Sequence, residues 1–119
     1  MKTLFVVITL MLAGCSVAPT PMTTAASDWA DYGQQRAEQG FMKQSESKLA
    51  KLDSQGYLNS ELYLAYDNGY EQGRQTYCSQ SAYMLGVMGK PYRGICERLD
   101  PFFYQDYVSG KNSTAGSPF

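Results

Sequence analysis

Asp67 and Glu71 stand four residues apart, a spacing that sets two carboxylates on one face of a helix. Paired carboxylates can hydrolyse a glycan, one as acid and the other as base or nucleophile, so a small glycosidase-like enzyme is one reading of this chain. Acidic residues at that spacing more often form a solvated face, and the remaining residues offer catalysis little support. There is no histidine, so the commonest general base and metal ligand is missing. No Gly-x-Ser-x-Gly elbow occurs, and the glycine-rich spacing lacks the lysine of a phosphate-binding loop. We therefore expect no enzyme, no metal and no cofactor.

The cysteines divide into one and two. Cys15 closes the tetrapeptide Leu12-Ala13-Gly14-Cys15, behind an apolar run that begins at Thr3 and follows a single charge, Lys2. A positive start, about ten apolar residues and small residues at the cut make a secretory signal, too short to span a bilayer. Ending it on cysteine resembles the lipobox of bacterial lipoproteins. The resemblance implies that residues 1–14 are removed and that Cys15 carries the lipid. Ser16, standing where an aspartate would retain the protein at the inner membrane, implies the inner leaflet of the outer membrane, facing the periplasm. One acyl chain holds a protein marginally, whereas the three of a triacylated cysteine make attachment durable.

Cys78 and Cys96 remain as a pair in an oxidising compartment, where a disulfide is expected. Zinc would need two more soft ligands, and a redox pair usually shows the close Cys-x-x-Cys spacing. The loop closed by this bond should constrain the unfolded chain by roughly 3 kcal/mol.

Around these residues the chain reads as mainly α: one small domain of short Gly- and Tyr-rich helices, stapled by one disulfide, behind a signal peptide and a flexible tether. Residues 15–27 hold two prolines and small uncharged side chains, so they are expected to act as a tether lifting the domain off the bilayer. Ser27 or Asp28 caps a helix reaching Gly40, with an inward stripe of Trp29, Gly33, Ala37 and Gly40. A short polar helix lies within residues 45–54, and Asn59 or Ser60 caps the longest, residues 61–77. The segment 79–81 caps another that ends at Gly86 or Gly89. Asp100 and Pro101 open a last helix over residues 102–109, which Gly110 closes. The domain thus spans residues 28–110, with a disordered tail over 111–119.

Glycine inside a helix costs about 1 kcal/mol against alanine, so glycines repeated on one face need a reason. Trp29-x-x-x-Gly33 is echoed by Tyr66-x-x-Gly69-x-x-x-Gly73-x-x-x-Tyr77, and more weakly by Tyr83-x-x-Gly86 and Tyr107-x-x-Gly110. The charges at Asp67, Glu71 and Arg74 exclude a lipid-facing helix. Trp29, Gly33, Tyr66, Gly69, Gly73 and Tyr77 therefore mark a groove for close backbone packing or for binding. All ten tyrosines fall between Tyr32 and Tyr107. Tyrosine suits sugar or peptide recognition, but a core short of aliphatic residues with its hydroxyls at the rim is the favoured reading.

The ordered series Trp29, Gly33, Gly40, Tyr66, Gly69, Gly73, Tyr77-Cys78, Gly86, Gly89, Tyr92, Cys96, Phe103, Tyr107 and Gly110 resembles the YfiL-like proteins. These are small uncharacterised lipoproteins of Gram-negative bacteria with a domain of unknown function. The resemblance implies the fold and the address, and supplies no activity or catalytic residue. Where that family often carries an Asp-Gly pair, this chain has Arg36-Ala37, so any contact made by the pair is absent. Without Lys2 the ten basic residues become nine against eleven acidic ones, with no basic stripe, which disfavours nucleic acid. The expected role is a non-catalytic, lipid-anchored envelope protein binding another periplasmic or outer-membrane component. The alternative is a glycan- or peptidoglycan-binding module using tyrosine faces.

Overall fold

A computed structural model describes residues 19–115; of Thr114 and Ala115 only the backbone is described. The signal segment, Cys15 and residues 116–119 lie outside it. The described residues form five helices and no strand: α1 (Ala26–Glu38), α2 (Glu46–Leu52), α3 (Ser60–Cys78), α4 (Ala82–Val87) and α5 (Phe103–Ala115). None of these helices is long and apolar enough to cross a membrane.

Local chemistry sets the boundaries. Ser45, Asn59 and Ser81 each turn a side-chain oxygen onto a backbone N–H of the first turn, at Lys48, Leu62 and Met84. Two helices end on glycine in the left-handed region. Gly40 (φ 82°) closes α1 with Phe41 N–H donating to Arg36 O at 3.0 Å, and Gly89 (φ 68°) closes α4 with Lys90 N–H donating to Leu85 O at 3.2 Å. Both are the 6→1 bond of a Schellman ending.

Two expectations are corrected at the ends. The second part of the tether is not free chain, because residues 19–25 lie against the domain. Buried Trp29 needs an acceptor for its indole N–H and finds the Thr23 carbonyl at 2.9 Å. The Thr23 hydroxyl accepts from Ala25 N–H and donates to the Asp28 carboxylate at 2.7 Å, so α1 starts at Ala26. At the other end Gly110 does not stop the last helix, which runs on through residues expected to be tail. The Asp100 side chain does accept from Phe102 N–H at 3.0 Å, as a cap would, while helical geometry begins at Phe103.

The apolar residues collect in two clusters. Trp29, Tyr32, Ala37, Leu49, Leu62, Tyr66 and Tyr70 form the first, between α1, α2 and α3. Tyr77, Ala82, Leu85, Ile95, Cys96, Phe103 and Tyr107 form the second, around α4 and α5. Helix α3 belongs to both, and the Cys78–Cys96 disulfide ties its last residue to the segment leading into α5 (S–S 2.02 Å).

Candidate functional site

Glycine lets α1 and α3 touch backbone to backbone. A Cβ on Gly33 would overlap the Tyr66 carbonyl oxygen and sit 2.9 Å from Tyr70 N; one on Gly69 would overlap the Ala30 carbonyl and sit 2.8 Å from Ala30 Cα. A Cβ on Gly73 would strike Gln34 O and lie 2.9 Å from Ala37 Cβ. As α1 advances from Ala30 to Ala37 its contacts advance along α3, so the two helices run parallel. The structure thus brings Trp29, Gly33, Tyr66, Gly69 and Gly73 together at one crossing, filled by backbone. It places Tyr77 apart from them, in the second cluster.

Sequence reading missed that this crossing occurs twice. Gly86 of α4 faces Tyr107 O and, at 2.7 Å from a notional Cβ, Lys111 N; Gly110 of α5 faces the Tyr83 carbonyl, its carbon 2.8 Å away. This repeats the pattern of Gly33 with Tyr66 and Tyr70, and of Gly69 with Ala30. In each pair a glycine meets the carbonyl three residues before the other helix's glycine. The available signal was Tyr-x-x-Gly, shared by Tyr66, Tyr70, Tyr83 and Tyr107 with the glycines that follow them.

The carboxylates are engaged. Lys43 Nζ reaches both Asp67 and Glu71, and Arg74 holds Glu71 through Nε, at 3.0 Å, and through its terminal nitrogen. Burial alone would raise the Glu71 pKa, but hydrogen bonds from Arg74 and Lys43 outweigh it and bring the carboxyl below its ordinary value. A carboxyl stabilised as the anion is a poor proton donor. Both cations also lie over the Tyr70 ring, at 5.2 and 5.8 Å.

The tyrosine hydroxyls serve the segments between helices. Tyr70 donates to Phe41 O at 2.7 Å and Tyr63 to Gln44 O at 3.0 Å, while Tyr66 accepts from Gln44 N–H at 2.9 Å. These bonds pin the chain leaving α1 along α3. In the second half Tyr107 donates to Lys90 O at 2.7 Å, and Tyr92 accepts from Cys96 N–H while donating to Glu97 at 2.7 Å.

The seam between the halves stays open. A cleft of about 290 Å³ is lined by Glu38, Gln39, Tyr77, Gln80, Lys90 and Arg93, among others. The Arg93 and Arg36 guanidinium groups both lie over the Phe41 ring, at 4.5 and 3.8 Å, bringing one cation from each half to the same aromatic side chain. Burial pushes the Tyr77 phenol up, and nearby Arg93 offsets part of that rise. No carboxylate among the described residues pairs with Arg36, Lys90 or Arg93, in contrast to Lys43 and Arg74.

Parallel helices crossed on glycine, tyrosine-pinned returns and one disulfide define a small helical domain stapled at one end. The chain belongs to a family of proteins of unknown function, DUF2799, which matches residues 28–112. No curated protein and no solved structure matches it.

Proposed function

We propose that this is a non-catalytic, lipid-anchored protein of the Gram-negative envelope whose domain engages an acidic surface of another periplasmic or outer-membrane protein through the seam. The address rests on Leu12-Ala13-Gly14-Cys15, on Ser16 and on the likeness to the YfiL-like lipoproteins. The observation that carries the binding role is that Lys90 and Arg93 line an open cleft without ion-pair partners among the described residues, outnumbering its one carboxylate, Glu38, while Arg36 shares the Phe41 ring with Arg93. Rim charges of this kind steer and orient an oppositely charged partner. The engagement of Asp67 and Glu71 by Lys43 and Arg74 favours binding over hydrolysis.

A photocrosslinking residue at Gln80, in cells, should capture one protein reproducibly, and the double charge reversal Lys90→Glu with Arg93→Glu should abolish capture without unfolding the domain. Capture that ignores the reversal would overturn the seam as the site. A second reading is favoured by the exposed rings of Tyr83 and Tyr104: a glycan-binding module, which would co-sediment with purified cell-wall sacculi.

A further inference from the structure

We infer that the domain rides on the bilayer surface, with the edge formed by Met22 and Leu52 against the lipid headgroups, rather than standing off on a tether. The inference rests on lipidation of Cys15 and adds where the domain must then sit. Thr23 is fixed to α1 through the Trp29 indole, and the Thr20 hydroxyl donates to the Leu52 carbonyl at 3.4 Å. Pro19 and Pro21 line one cleft with Tyr32 and Gln35 of α1, so the described arm lies along the first half from its first residue. Five peptide steps separate Cys15 from Thr20. At full extension they span at most about 18 Å.

A thioether to diacylglycerol holds Cys15 at the inner margin of the headgroup layer, which is roughly 5–8 Å deep in each leaflet. Crossing that layer leaves at most about 13 Å of reach, close to the diameter of one α-helix with its side chains. The end of α2 therefore cannot stand more than about one helix width above the headgroups. Apolar side chains are exposed on the arm and at the end of α2: Met22 is 66% exposed and Leu52 is 46% exposed. Lys48 and Lys51 of α2 lie beside Leu52, while Asp28 and Asp31 lie beside the arm. With both signs present, charge does not draw this edge to the membrane. The lipid supplies affinity and the short arm supplies orientation.

The test is a photoreactive phenylalanine analogue at Leu52 or Met22 of the full lipoprotein in phosphatidylethanolamine–phosphatidylglycerol vesicles. Irradiation should give lipid adducts at both positions. A twenty-residue Gly/Ser spacer placed after Ser16 should lower the yield at least fivefold while the protein stays vesicle-bound. The acyl mass of the N-terminal peptide is read in the same samples. An acylated protein with no adduct at either position, or with a yield unchanged by the spacer, would overturn the inference. Recovery without acyl mass would instead defeat the anchor reading, and this inference with it.

Discussion

The two halves of the molecule solve one packing problem at different scales. In the first, α1 and α3 stay in contact for two turns, Gly33 with Gly69 and Ala37 with Gly73; in the second, α4 and α5 meet for a single turn, Gly86 with Gly110. The first half adds α2, buried Trp29 and a network of two carboxylates and two cations. The second has a helix of 6 residues and a disulfide. A six-residue helix is far below the length at which helices persist unaided, so its order comes from tertiary contact. The glycine crossing therefore aligns two helices but does not hold them. A longer helix contact and an ion-pair network support the first half, and a covalent bond supplements the apolar cluster of the second.

The largest effect should come from filling a crossing. Gly69→Ala puts a carbon into the Ala30 carbonyl, which only a backbone shift can relieve, so we expect a loss of about 2–3 kcal/mol, and more for Gly69→Leu or Gly73→Leu. Gly110→Ala should cost a similar amount but act on the other half. Denaturant titration gives the size, and amide exchange shows which half opens. If Gly69→Ala melts like the parent, the crossing is not tight. Equal opening of both halves by either substitution would make them one cooperative unit.

Next comes the staple. Reduction, or Cys78→Ser with Cys96→Ser, should lower stability by roughly 3 kcal/mol. The loss should be local: amides of α4 and α5 should exchange ahead of those of α1. Uniform exchange after reduction would show that the second half does not depend on the bond.

Hydroxyl deletions probe the returns. Tyr70→Phe frees the Phe41 carbonyl and Tyr107→Phe frees the Lys90 carbonyl, each at about 1 kcal/mol. Tyr107→Phe should do more harm in the reduced protein, where the second half has lost its staple. An equal cost in both redox states would separate the two contributions.

The helices were legible in sequence because their signals are local. Asn59, Ser45 and Ser81 announce caps within three residues of the amides they satisfy. Gly110 misled because glycine has two uses near a helix end. Gly40 and Gly89 take positive φ and stop a helix, whereas Gly110 sits within one and meets another backbone. A tyrosine three residues earlier distinguishes Gly69, Gly73, Gly86 and Gly110 from those two terminators. The arm was unreadable because its fixing bond uses a backbone carbonyl, that of Thr23, which carries no side-chain signature. The seam was unreadable for a similar reason, since Arg36, Phe41 and Arg93 become neighbours only through the fold.

The smallest effect separates the halves by charge. Glu71 in the first half has its pKa lowered: burial acts to raise it, and bonding to Arg74 and Lys43 prevails. A carboxyl with a depressed folded pKa stabilises the protein above its unfolded pKa, about 4.3, and that contribution is lost as pH falls through the folded value. The group is partly solvated, so the contribution should stay below about 1 kcal/mol. Carboxyl NMR titration should place the Glu71 midpoint under the ordinary glutamate value, and Lys43→Met should move it upward. Exchange measured as pH is lowered from 6 to 3 (chosen to bracket that titration) should show the first half loosening slightly while the disulfide-held α4 and α5 respond less. A Glu71 midpoint unmoved by Lys43→Met would mean that the lysine does not hold the carboxylate in solution, leaving Arg74 to do so alone.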